Sequence, residues 1–122
     1  MTILIIDDEE FVNQILAPAL REEGYDVYVA LDGEEGLKKI LTLKPDFVLL
    51  DILMPKMNGC EVLEKLNEQN LNPKPRIVIL SAFVQTEQIK KALSLGAEDY
   101  WVKSDLDVQN IIDRINKKLK GK

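Results

Sequence analysis

The stretches Ile3-Leu4-Ile5-Ile6-Asp7-Asp8 and Phe47-Val48-Leu49-Leu50-Asp51 decide the fold. Each is a short aliphatic run without polar alternation, and each ends in a carboxylate. Such a run reads as a strand buried on both faces, the signature of a parallel sheet covered by helices. Acidic groups at the ends of two such strands meet at one edge of the sheet. Carboxylates crowded there repel, and one is driven to take up a proton unless a cation is present. The arrangement asks for a metal ion and, with it, phosphate chemistry.

Outward from these runs, strand and helix patterns alternate along the chain. Strands are predicted over residues 2–6, 26–30, 47–50, 77–80 and 100–102. A helix is predicted over residues 10–23, with an apolar stripe of Phe11, Ile15, Ala19 and Leu20 that Gly24 stops. Pro18 falls inside it and would cost about 3 kcal/mol in a regular helix interior, so a kink is expected there. Asp32, Asn58, Thr86 and Asp107 are candidate caps for four further helices. Their stripes are Leu37, Ile40 and Leu41; Val62, Leu63 and Leu66; Ile89, Ala92 and Leu93; and Val108, Ile111, Ile112, Ile115 and Leu119. Residues 70–75 hold two prolines and two asparagines and read as a loop. Five strands alternating with five helices give a doubly wound α/β fold. Right-handed crossovers then bring the carboxyl ends of all strands to one edge, where ligands bind. Asp7, Asp8, Asp51, Ser81 and Lys103 each follow a strand and should gather there.

Composition narrows the function. The 122 residues make one domain, residues 1–122, and 46% of them are hydrophobic, enough for a core. A net charge of −5 argues against nucleic acid and against an anionic membrane surface as partners. The apolar runs are too short to span a bilayer. Histidine is absent, which excludes a serine–histidine triad, histidine-ligated zinc and a histidine phospho-carrier within the chain. Cys60 is the sole cysteine, so no internal disulfide forms, and it reads as a small buried hydrophobe. Met1-Thr2 runs directly into the first strand without an export leader, and a cytoplasmic location is expected.

The strand-end residues suit one reaction. Asp8 and Asp51 can be direct oxygen ligands of one divalent cation, with Asp7 acting directly or through water. Few hard ligands at a water-accessible site suit Mg²⁺, and Mn²⁺ could replace it. Lys103 supplies a fixed positive charge and Ser81 a hydroxyl donor. Phosphoryl transfer needs an in-line nucleophile, a metal and cationic groups around the equatorial oxygens. Asp51 is the best nucleophile because it stands alone at its strand end, beside the loop of residues 54–59. Singly, each residue has a plainer role: Asp7-Asp8 as helix cap and first-turn acid, Ser81 as a turn residue, Lys103 as a solvated charge. Their common placement favours the site.

Four motifs carry a family resemblance: Ile6-Asp7-Asp8-Glu9; Leu50-Asp51 continuing through Met54-Pro55-Lys56-Met57-Asn58-Gly59; Leu80-Ser81-Ala82; and Gly96-Ala97-Glu98-Asp99-Tyr100-Trp101-Val102-Lys103. In this order and spacing the chain resembles a response-regulator receiver domain, of the chemotaxis type, from bacterial two-component signalling. The resemblance implies a flavodoxin-like sheet of strand order 2-1-3-4-5. It implies that Asp51 accepts a phosphoryl group from a sensor histidine kinase or a small phosphodonor. It implies that Asp7, Asp8, Asp51 and the main-chain carbonyl of Leu53 bind Mg²⁺, and that Ser81 and Lys103 contact the phosphoryl group. Ser81 and Tyr100 would form the switch, with helix four, strand five and helix five as the output surface. Leu53 and Phe83 would flank the path of attacking water and tune dephosphorylation. The module would catalyse only its own phosphorylation and dephosphorylation. It would act on an output domain or a downstream protein, as a monomer or a phosphorylation-linked homodimer.

One position departs from the family. A proline, joined by a cis bond, usually follows the lysine; here Ser104 does. A cis bond before a non-proline residue costs about 2.5–4 kcal/mol, so a trans Lys103–Ser104 bond is expected. Two other functions stay in view. A phosphatase of the haloacid-dehalogenase type also uses a strand-end Asp, but wants a second Asp where Leu53 stands. A degenerate receiver would serve only as a docking scaffold, which the intact Asp, Ser and Lys set disfavours. Ending at Gly121-Lys122, the chain fits a free-standing regulator or a receiver cut from a longer protein.

Overall fold

The computed structural model describes residues 1–10, 12–82 and 85–121. Five strands form one parallel sheet: β1 (Thr2–Ile6), β2 (Asp26–Ala30), β3 (Phe47–Leu50), β4 (Arg76–Ser81) and β5 (Asp99–Val102). Their order is β2-β1-β3-β4-β5, the flavodoxin-like arrangement. The helices are α1 (Ala17–Glu22), α2 (Gly33–Leu43), α3 (Gly59–Glu68), α4 (Thr86–Ser94) and α5 (Val108–Lys120).

The continuous apolar runs explain the layers. Along a strand, successive side chains point to opposite faces. Ile3, Ile5, Phe47, Leu49, Val78 and Leu80 therefore pack on one face, with Leu16 and Leu20 and with Ile111, Ile112 and Ile115 of α5. Leu4, Ile6, Val48, Leu50, Ile77 and Ile79 pack on the other, with Ile40 of α2, Val62, Leu63 and Leu66 of α3, and Ala92 of α4. Trp101 joins the first core, while Tyr100 lies against the second. Cys60 is buried in the second core.

Strand β2 lies at the edge of the sheet, and its outward carbonyls are covered. Arg21 donates to the Val27 carbonyl at 2.8 Å, and Lys39 to that of Val29 at 2.6 Å. Cationic side chains on an edge block pairing with a foreign strand.

The helix starts follow their sequence signals in three cases. Asp32 caps α2 by accepting from the Glu35 amide, and Asn58 and Asp107 form full capping boxes with Glu61 and Asn110. Thr86 is not a cap: it is the first residue of α4, and Gln85 precedes it without a side-chain cap bond.

The first helix differs most from expectation. Residues Val12–Leu16 wind as a π-helix before α1 begins, and Pro18 falls in the first turn of α1. Pro18 lacks an N–H and its ring crowds the carbonyl four residues back; a wider turn ahead of it relieves both problems. The wider winding also rotates the apolar stripe. Val12, Leu16 and Leu20 are buried, whereas Ile15, predicted to face inward, is 49% exposed. Phe11 of the predicted stripe lies outside the described residues. In α4, Leu93 is exposed and Ala92 takes the inward position.

At the end of the sheet opposite the acidic edge, Arg76 grips Glu98 through two hydrogen bonds, of 2.9 and 2.7 Å, and also donates to the Lys118 carbonyl of α5. The Arg76 guanidinium holds the Glu98 carboxyl down at about 2. A carboxylate with a depressed folded pKa adds stability that is complete above its ordinary value and is lost as pH falls through the folded one. Arg76→Ala should thus lower stability by about 1 kcal/mol at neutral pH, a value kept small by solvent exposure. Urea midpoints at pH 7 and pH 3 check this: the gap between wild type and variant should narrow at the lower pH. An unchanged gap would assign the loss to the Lys118 contact instead.

Candidate functional site

Among the described residues, the only buried polar or charged ones are Asp7, Asp51 and Ser81, which are 2%, 5% and 1% exposed. All three stand at carboxyl ends of strands. Asp7 follows β1, Asp51 follows β3, and Ser81 ends β4. The amides of Asp7 and Asp51 continue the sheet ladder onto the carbonyls of Ala30 and Ile6, at 3.0 Å each, which fixes both backbones. Burying polar groups is costly without partners, so their concentration at one place marks a site rather than packing.

Carboxylate oxygens of Asp7, Asp8 and Asp51 lie within 4.8 Å of one another. Asp8 is exposed, and the other two are enclosed. Lys103, in the turn after β5, reaches into this cluster. Its Nζ lies 2.8 Å from Asp7 Oδ2, 2.9 Å from Glu9 Oε1 and 3.5 Å from Asp51 Oδ2. Two backbone amides add support: Glu9 N donates to Asp7 Oδ1 at 2.9 Å, and Ile52 N to Asp51 Oδ1 at 2.8 Å. Ser81 lies close enough to the Asp51 carboxylate and to the Tyr100 phenol to favour the ionised form of each, and so stands between them.

The electrostatics follow from burial. Loss of water pushes the Asp7 carboxyl up to about 6, against the pull of Lys103 and the Glu9 amide, and repulsion from Asp51 adds to the rise. Burial also raises Asp51, although Lys103, Ser81 and the Ile52 amide oppose it. Burial works against the charge on Lys103. Its hydrogen bonds to Asp7 and Glu9, with the field of Asp51, outweigh that and hold its pKa above the ordinary value. Burial raises Tyr100 as well, with the Ser81 hydrogen bond opposing. One ammonium cannot neutralise this many carboxylates. The donor set is wholly carboxylate oxygen, which fits a hard cation such as Mg²⁺ rather than a soft metal.

The sequence-predicted residues thus come together: Asp7, Asp8, Asp51, Ser81, Tyr100 and Lys103 share one edge. Leu53 lies in the loop after Asp51 and is 59% exposed. Phe83 lies outside the described residues. The Lys103–Ser104 bond is trans, as expected, and Lys103–Asp105 forms a short 3₁₀ turn that aims the lysine back at the acids. Glu9 had no assigned role from sequence. Its signal was the third acid in the Asp7-Asp8-Glu9-Glu10 run, but nothing local tied it to Lys103.

Comparison with known proteins agrees with this geometry. The response regulator receiver domain model matches residues 3–116. The chain is 43% identical over 121 residues to the chemotaxis protein CheY of Treponema pallidum, covering 97% of this chain and 82% of that protein. It is 44% identical over 103 residues to the alkaline phosphatase synthesis transcriptional regulatory protein PhoP of Bacillus subtilis, covering 83% of this chain but 41% of that protein. Among solved structures, the CheX-CheY-BeF3-Mg²⁺ complex from Borrelia burgdorferi matches with a TM-score of 0.84 and 31% identity, covering 97% of this chain and 88% of that one. With the family pattern spanning nearly the whole chain and its acidic edge assembled in space, the protein belongs to the response-regulator receiver domains of two-component signalling.

Proposed function

We propose that this chain is a Mg²⁺-dependent phospho-acceptor switch whose acceptor is Asp51. The observation that carries the reading is the burial of Asp7, Asp51 and Ser81, and of no other polar residue among those described, at the edge that Lys103 reaches. Asp7, Asp8 and Asp51 would hold the cation, with the Leu53 carbonyl as a further ligand. Bound Mg²⁺ supplies charge neutralisation for the phosphoryl oxygens.

The residues divide the work as follows. An Asp51 carboxylate oxygen attacks phosphorus on a histidine kinase or a small phosphodonor. The new O–P bond forms as the bond to the donor breaks, and the donor keeps that electron pair. The Lys103 ammonium and the Ser81 hydroxyl then bind phosphoryl oxygens. Ser81 stands between Asp51 and Tyr100, so drawing its hydroxyl toward phosphate alters what Tyr100 can contact. A phosphoryl group adds about −1.5 to −2 charge, enough to bias two packings of such a chain of contacts. The altered packing would be read at the face of α4, β5 and α5, by an output domain or a downstream protein. Leu53, exposed beside the acceptor, and Phe83 would limit water attack on the acyl phosphate. The module acts in the cytoplasm, alone or as a phosphorylation-linked dimer, and catalyses no reaction beyond its own modification.

Incubation with Mg²⁺ and acetyl phosphate tests the reading. Intact mass should show one phosphoryl adduct on the wild type and none on Asp51→Asn. No adduct on the wild type would overturn it in favour of a docking scaffold.

A further inference from the structure

Lys103 has three carboxylate neighbours, and they are not equivalent. Asp7 and Asp51 are buried, whereas the Glu9 side chain is 49% exposed. The lysine side chain itself is 13% exposed. Both Asp7 oxygens are engaged, Oδ1 by the Glu9 amide and Oδ2 by Lys103. A divalent cation that takes an Asp7 oxygen therefore competes directly with Lys103. An ammonium with so little access to water cannot give up a carboxylate without gaining another partner. Glu9 Oε1 already lies 2.9 Å from Nζ, at the solvent rim, and the Glu9 backbone is tied to Asp7.

We propose that Glu9 is the receiving partner for Lys103: it takes the ammonium when a divalent cation claims Asp7, and it thereby sets the cation affinity of the Asp7–Asp8–Asp51 site. Glu9 is a positioning residue here. It acts through the lysine and not as a metal ligand. The inference rests on the metal-binding part of the function proposed above, and its test separates the two.

The test is calorimetric titration of Mg²⁺, without phosphodonor, into the wild type, Glu9→Gln, Lys103→Met and the double variant, with Glu10→Gln as a control for loss of a neighbouring surface charge. Glu9→Gln should weaken Mg²⁺ binding about fivefold when Lys103 is present, and by less than about twofold in the Lys103→Met background, since directly coupled residues are non-additive. Glu10→Gln should change affinity by less than about twofold, as for an exposed, screened charge. Equal losses in both backgrounds would overturn the proposal, because Glu9 would then act as a plain charge or a ligand. Mg²⁺ that binds no variant, the wild type included, would remove the metal reading itself. Should Lys103→Met not fold, a crystal structure of the wild type with Mg²⁺ decides the question. Lys103 should be found on Glu9 and off Asp7; a lysine still on Asp7, or on Asp51 alone, would overturn the proposal.

Discussion

In the presence of a chelator the protein should be more stable at pH 5 than at pH 7.5. Burial raises the Asp7 carboxyl from its ordinary 3.8 to about 6 in the folded state. Between those values the folded chain binds a proton that the unfolded chain does not. Stability therefore rises as pH falls through the folded value, the reverse of the usual carboxylate behaviour. At 1.36 kcal/mol for each pH unit, the shift to about 6 corresponds to roughly 3 kcal/mol over the whole titration, of which about half falls between pH 5 and pH 7.5. Asp51, also raised by burial, contributes in the same direction. Urea unfolding at the two pH values measures the difference, and Asp7→Asn should remove most of it. A variant with the same pH dependence as the wild type would show that the destabilising charge lies elsewhere.

Saturating Mg²⁺ should abolish this trend, because the carboxylates are then ionised in both the folded and the unfolded chain. A cation that binds ionised carboxylates stabilises only the folded state and binds more tightly as those carboxylates lose their protons. Its stabilising effect should therefore be larger at pH 7.5 than at pH 5. The strain of crowded, buried charge thus stands as a reserve that cation binding relieves.

A second large effect is expected at Gly59. A Cβ there would lie 2.3 Å from the Asp51 carbonyl oxygen and 3.1 Å from the Ile52 Cα. Both are backbone atoms, of Asp51 and of the residue after it, so neither can swing aside as a flexible side chain would. Helix α3 cannot retreat easily either, because its capping box and the 2.9 Å bond from Gly59 N to the Ile52 carbonyl hold its start. Alanine favours a helix over glycine by about 1 kcal/mol, which offsets part of the clash. Overpacking of this kind costs up to about 3 kcal/mol, so Gly59→Ala should lose about 2 kcal/mol net. It should also slow phosphoryl uptake, since the displaced atoms carry Asp51. A wild-type urea midpoint for Gly59→Ala would mean that the loop yields without cost.

Most of the fold was legible because its signals are local. Ile3–Ile6 and Phe47–Leu50 announce buried strands through composition alone, and Asp32, Asn58 and Asp107 cap as their residue types allow. Thr86 carried the same type of signal and failed: a side chain caps only if the chain enters the helix one residue later, and here Gln85 holds that place. Ile15 failed because its stripe assumed 3.6 residues in each turn, whereas Pro18 is accommodated by wider winding ahead of it. Most of the candidate site was legible for a topological reason: in a parallel sheet every strand ends at the same edge, so Asp7, Asp51, Ser81 and Lys103 had to converge.

By itself, then, the sequence determined the strands, their covering helices and which chemical groups share an edge, since these follow from periodicity and from the handedness of crossovers. Only the tertiary structure decided how those groups divide their charge. Asp7 is buried and Asp8 exposed although they are neighbours in the chain. Lys103 is shared between Asp7 and Glu9, and Glu9 lies 94 residues away from it in sequence. Pairing at that separation depends on side-chain reach and on solvent access at one point in space, and neither quantity is written in the local pattern of residues.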